Sequence, residues 1–163
     1  MNYFILMGAT IIIVIEFAMM SIRKKYLKRE NRMLKYDLER SQWLAKVVNE
    51  ILSLHISKKS FVSFLWDCGY KNIVLYGMGE LGIRLSEEIL LNSSINILYG
   101  LDRNAAAISY VFPVYTLNEV SRLPKPDVII LTTYCVNDSL KDLITEETGC
   151  RVIGIEEIID AIR

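Results

Sequence analysis

Residues 77–82 read Gly-Met-Gly-Glu-Leu-Gly, and glycines at the first, third and sixth places of such a run have a definite chemical use. Gly77 permits a tight turn, Gly79 lets backbone approach a phosphate group, and Gly82 lets the following helix pack closely on the preceding strand. The start of that helix then offers the phosphate N–H groups that have no partner within the helix. Asp102 stands twenty residues beyond Gly82, where an acid accepts hydrogen bonds from a ribose 2'-hydroxyl. The expected chemistry is recognition of a nucleotide's phosphates and sugar. Two features pull the other way. Glu80 sets a carboxylate beside the phosphate position, and Asp102 has an alternative use as a cap for the turn Asn104 to Ile108.

Groups that make or break bonds are harder to find. Tyr134, Asp138 and Cys135 follow one another closely but form no recognised acid–base or nucleophilic set. No histidine lies beyond His55 to activate Cys135, so a passive wall residue is the favoured reading of that thiol. No Tyr-x-x-x-Lys pair occurs anywhere. Cys68, Cys135 and Cys150 are odd in number and include no CxxC pair, so neither a disulfide framework nor a zinc site is encoded, and a reduced setting fits. The expectation is no catalytic residue, no metal site and no enzyme activity of the chain's own.

The elements that must position the glycine run follow from apolar patterning. A short helix over 58–69 leads into an apolar strand, Asn72 to Tyr76, which meets the glycines directly; a helix then runs to about Leu91. Further strands are predicted over Ile95 to Leu101, Val111 to Tyr115, Asp127 to Thr133 and Arg151 to Gly154. Helices are predicted over Leu117 to Leu123, Asp138 to Thr148 and Glu156 to Ile162. Strands alternating with helices imply an α/β fold with a five-stranded parallel Rossmann-like sheet in the order 3-2-1-4-5. The ligand crevice then lies between strands 1 and 4 at their C-terminal ends, and Thr132 and Thr133 reach its rim opposite the glycines. The expected binding residues are Gly77, Gly79, Gly82, Asp102, Thr132 and Thr133.

The chain has 163 residues, 52% of them hydrophobic, and a formal charge of zero that is unevenly spread. Residues 23–40 hold eight basic and three acidic side chains, whereas residues 60–163 hold eight basic and fourteen acidic. An acidic globular part argues against nucleic acid, whose phosphates need a clustered positive face. Residues 1–22 read as a transmembrane anchor, because Tyr3 to Ile22 is almost wholly apolar, interrupted by Glu16, and about twenty such residues span a bilayer. Arg23, Lys24, Lys25, Lys28 and Arg29 would keep the rest of the chain cytoplasmic and the N-terminus outside, a single-pass topology.

Residues 23–56 contain no Pro or Gly and read as a basic helical connector leading to a Rossmann-like domain over 57–163. With a and d positions at Lys24, Leu27, Asn31, Leu34, Leu38, Ser41, Ala45, Val48 and Leu52, six of nine are apolar. Two readings stay open: a parallel coiled coil that makes a homo-oligomer, or an amphipathic helix folded back on its own domain.

The run from Val74 to Gly82, the strand end Gly100-Leu101-Asp102-Arg103-Asn104, the segment Phe112-Pro113-Val114-Tyr115-Thr116-Leu117 and the ending Arg151 to Ile159 carry a likeness to known proteins. Together they resemble the small Rossmann modules of bacterial surface-polysaccharide loci, with their YGxGxxG start, xDxN turn, xPVY segment and EEI ending. That group is similar to the nucleotide-binding domain of membrane-associated nucleoside-diphosphate-sugar epimerase and dehydratase proteins. The resemblance implies a membrane-anchored cytosolic module that binds NAD(P), a nucleotide or a nucleotide-sugar, with partner enzymes in cell-envelope polysaccharide biosynthesis. It implies no epimerase activity, since the catalytic pair and the substrate half are missing. The alternatives are a ligand-sensing regulatory domain of a membrane transport system and a non-binding membrane scaffold.

Overall fold

A computed structural model describes residues 2–91 and 94–163, with side chains from Glu16 onward. The chain divides into two compact units, Met1–Gln42 and Trp43–Arg163. The first is part of helix α1, Asn2–Ile56, whose residues from Glu16 to Gln42 are exposed.

The second unit holds the last turns of α1 and an α/β sandwich. In chain order these are α2 (Phe61–Asp67), β1 (Asn72–Tyr76), α3 (Glu80–Leu90), β2 (Asn96–Leu101), β3 (Val114–Tyr115), β4 (Val128–Leu131), α4 (Asp138–Thr148), β5 (Arg151–Gly154) and α5 (Ile155–Ile162). The five strands form one parallel sheet in the order β3-β2-β1-β4-β5, the order expected from the alternating pattern. Short 3-10 segments, Ala105–Ala107 and Leu117–Arg122, flank β3.

Both faces of the sheet are covered, which is why β1 and β4 are continuous apolar runs rather than alternating ones. On one face Ile73, Leu75, Val128 and Ile130 pack with Leu81, Leu85 and Ile89 of α3 and with Ile155, Ile158 and Ile159 of α5. Val47 and Leu54 of α1 and Phe61 and Leu65 of α2 complete that layer. On the other face Val74, Tyr99, Leu101, Ile129 and Leu131 pack with Val120 and with Ile144 of α4.

Two strands are shorter than expected, for local reasons. β3 keeps only Val114 and Tyr115, because Pro113 has no N–H to give the ladder, although its carbonyl still accepts from Gly100. β4 starts at Val128; the Asp127 N–H before it donates to the Asn72 carbonyl at 2.7 Å, and the Asp127 carboxylate accepts from the N–H groups of Lys71 and Asn72, at 2.9 and 2.7 Å. It ends at Leu131, where the Thr132 hydroxyl turns to the neighbouring loop.

The expected transmembrane anchor is corrected. Among the described residues, no helix is long and apolar enough to cross a membrane. The side chains of residues 1–15, part of the expected span, lie outside the described residues. The single-pass topology and the outside-to-cytoplasmic orientation inferred from that segment fall with it.

Candidate functional site

β1 delivers the chain to the glycine run at the C-terminal edge of the sheet, between β2 and β4. Gly77 adopts φ +100°, a left-handed conformation, and its N–H donates to the Leu101 carbonyl at 2.8 Å. A Cβ there would lie 2.2 Å from the Thr133 methyl group. At Gly82 a Cβ would lie 2.2 Å from the Gly77 carbonyl oxygen and 3.0 Å from Thr132 Oγ1, so the first turn of α3 sits directly on the loop. At Gly77 the loop turns through a left-handed residue, and at Gly82 helix and loop are too close for a side chain.

Gly79 is exposed and forms the N-cap of α3, which has no side-chain cap. α2 and α4, by contrast, start on Ser60 and Asn137, whose side chains accept from Ser63 N–H and Leu140 N–H. The first N–H groups of a helix have no partner within it. Those of α3 therefore open toward the C-terminal edge of the sheet without a side chain of the cap to answer them. Glu80, in that first turn, is exposed.

Asp102 lies just past the end of β2 and is half-buried. Its Oδ2 accepts from the Met78 N–H at 2.9 Å and its Oδ1 from the Asn104 N–H at 2.8 Å. The carboxylate thus ties the glycine loop to the turn after β2. Each oxygen retains a second lone pair. Asn104 stands at the start of the 3-10 turn, and Asp102 accepts from its N–H.

Thr132 is buried, and its hydroxyl lies 2.6 Å from the Gly77 carbonyl and 3.1 Å from that of Tyr76. It is a latch for the loop, with its single proton already engaged. Thr133 is half-buried and lays its methyl group against Gly77. The structure therefore gathers Gly77, Gly79, Gly82, Asp102, Thr132 and Thr133 around one loop. Gly79 and the N-terminus of α3 face outward, while the two threonines meet the loop from behind.

Several residues at this edge went unread in the sequence. Met78 is buried, and a Cβ on Gly100 would come within 2.8 Å of its Cγ, so Gly100 makes room for that side chain between β2 and the loop. Tyr76 is nearly buried; loss of hydration there raises its phenol pKa, Arg103 lowers it and Asp102 raises it. Trp43 stacks on Tyr134 with ring centroids 5.8 Å apart and planes tilted by 54°, which brings α1 to the turn after β4. The next residue, Cys135, is exposed and has φ +60°. His55 hydrogen-bonds Glu88 of α3 at 3.0 Å on the surface. A separate groove of about 340 Å³ lies between α2 and α5 at the opposite end of the sheet, lined in part by Cys68, Tyr70, Arg151 and Glu157. Among the described residues no cluster of His, Cys, Asp or Glu is arranged to hold a metal ion.

No protein-family model and no curated relative matches the chain, so no sequence family supports the epimerase and dehydratase resemblance. Among solved structures, UDP-D-quinovosamine 4-dehydrogenase from Vibrio fischeri is similar at 16% identity and a TM-score of 0.44, over 56% of this chain and 85% of that one. A chorismate mutase/shikimate 5-dehydrogenase fusion protein from Clostridium acetobutylicum is similar at 19% identity and a TM-score of 0.41, over 61% of this chain and 48% of that one.

Proposed function

We propose that the Trp43–Arg163 unit binds a nucleotide-type small molecule, with its phosphate on the N-terminus of α3 and its ribose on Asp102. The observation that carries this reading is the start of α3: Gly79, exposed and without a side chain, leaves the first N–H groups of the helix open beside a left-handed Gly77. Backbone N–H groups at a helix start favour an anion, and a glycine there admits close approach. The free lone pairs of the Asp102 carboxylate suit ribose hydroxyls, so a dinucleotide such as NAD(P) and a nucleotide-sugar both fit the donor and acceptor set. The likeness of Val74 to Gly82 and of the Asp102 turn to surface-polysaccharide modules favours a nucleotide-sugar and a place in polysaccharide synthesis. The module binds without turning its ligand over.

A second reading, a scaffold whose loop serves packing alone, draws on the same contacts. Both Asp102 oxygens and the Thr132 hydroxyl already have protein partners, and Met78 packs beneath the loop.

Thermal melting of the full chain against NAD, NADP, UDP-sugars, coenzyme A and ATP separates the two. A ligand at 100 times its dissociation constant adds about 2.7 kcal/mol of stability. Binding predicts a rise in melting temperature with one ligand class, abolished by Gly79→Val. Glu80→Gln should tighten that ligand about fivefold, since it removes a like charge worth about 1 kcal/mol at a helix N-terminus. No shift with any compound would leave the scaffold reading.

A further inference from the structure

Within the Trp43–Arg163 unit, α1 carries two different apolar faces. Trp43, Val47, Ile51 and Leu54 turn toward the domain, with Val47 and Leu54 buried. Ala45, Val48 and Leu52 lie about 140° around the helix and face solvent. Val48 is 46% exposed and Leu52 54%. The packing of α1 on its own domain therefore leaves the heptad positions Ala45, Val48 and Leu52 unused. In the Met1–Gln42 unit the same heptad count falls on Leu27, Leu34 and Leu38, which are 50%, 61% and 59% exposed.

We infer that residues 24–52 zip against a second copy of this chain as a parallel two-stranded coiled coil. The flanking charges select that occupant and that direction. In a parallel pair each g residue faces the e residue five places on in the other copy. Glu30 then meets Lys35, an attractive pair, and Asp37 meets Gln42, which donates to a carboxylate. Arg23 against Lys28 is unfavourable, at the end of the seam. Lys35 already pairs with Glu39 of its own helix at 3.7 Å, an exposed contact compatible with a second carboxylate. An antiparallel pair would instead bring the e positions together, and in the register that overlaps residues 24–41 it sets Lys28 against Lys35 and Glu30 against Asp37. Asn31 at an a position pairs with itself in the parallel register and fixes it.

The test uses the full chain. Sedimentation equilibrium should give twice the chain mass, and Leu34→Glu with Leu38→Glu should return it to the monomer while leaving the melting of the domain unchanged. In a Cys68→Ser, Cys135→Ser background, Leu27→Cys should form a disulfide with its own copy under mild oxidation, as only a parallel register allows. A monomer at all concentrations, an association untouched by the two glutamates, or no Leu27→Cys cross-link would each overturn the inference. None of these outcomes depends on whether the glycine loop holds a ligand.

Discussion

A single hydroxyl, that of Thr132, holds the glycine loop against the end of β4. Its proton is shared between the carbonyls of Gly77 and Tyr76, the latter of which also accepts from the Thr132 N–H at 3.0 Å. Thr132→Val keeps the shape and removes the donor, so it should lower unfolding free energy by about 1–2 kcal/mol in urea titration. Asp127 does comparable work at the other end of the sheet. The backbone N–H groups of Asn72 and Lys71 hold its carboxyl below the ordinary carboxylate range, against a small opposing effect of burial. A depressed pKa contributes stability that is present above about pH 4 and is lost as pH falls through the lower folded value. Asp127 is exposed, so screening limits the gain to about 1 kcal/mol or less. Asp127→Asn should therefore be slightly less stable at neutral pH and show a flatter acid limb than the parent, read by denaturant midpoints between pH 6 and 2.5. The glycines were legible from spacing because turn, approach and packing each demand a missing side chain. The Met78 N–H to Asp102 bond was not legible, because it joins two residues that only the β1–β2 pairing brings together.

Elements were read well where one face decides them and poorly where their ends are set by neighbours. The parallel sheet and its order followed from apolar runs alternating with helices. The ends of β4 did not: the N–H groups of Asp127 and Thr132 still donate to Asn72 and Tyr76 of β1, but their side chains turn to neighbouring backbone as well. α1 held a signal that went unread: Trp43, Val47, Ile51 and Leu54 recur at four, four and three residues, a helix stripe distinct from the heptad seam. Val47→Ala, at a fully buried position, should cost about 1–3 kcal/mol, while Lys46→Ala beside it should change stability by less than about 0.5 kcal/mol. Chemical denaturation of the two variants separates a helix that belongs to the domain core from one that merely leads to it.

Taken over the whole molecule, the chain joins a basic helical segment to an acidic α/β unit, and the two differ in what they can bind. Fourteen acidic against eight basic side chains over residues 60–163 give the domain no broad attraction for phosphate, so the proposed recognition has only the few N–H groups at α3 to draw on. Hydropathy suggested an anchor at the N-terminus, whereas among the described residues no helix is long and apolar enough to cross a membrane. The contact between Trp43 and Tyr134 has a further, optical consequence. The chain has two tryptophans, and the other, Trp66, is half exposed with Lys71 over its ring at 5.4 Å. Trp66→Phe leaves one indole, in ring contact with the turn after β4. Its emission should shift when a ligand enters between that turn and the glycine loop, and stay fixed when the same ligand is added to Gly79→Val, so the protein carries its own fluorescent reporter of occupancy.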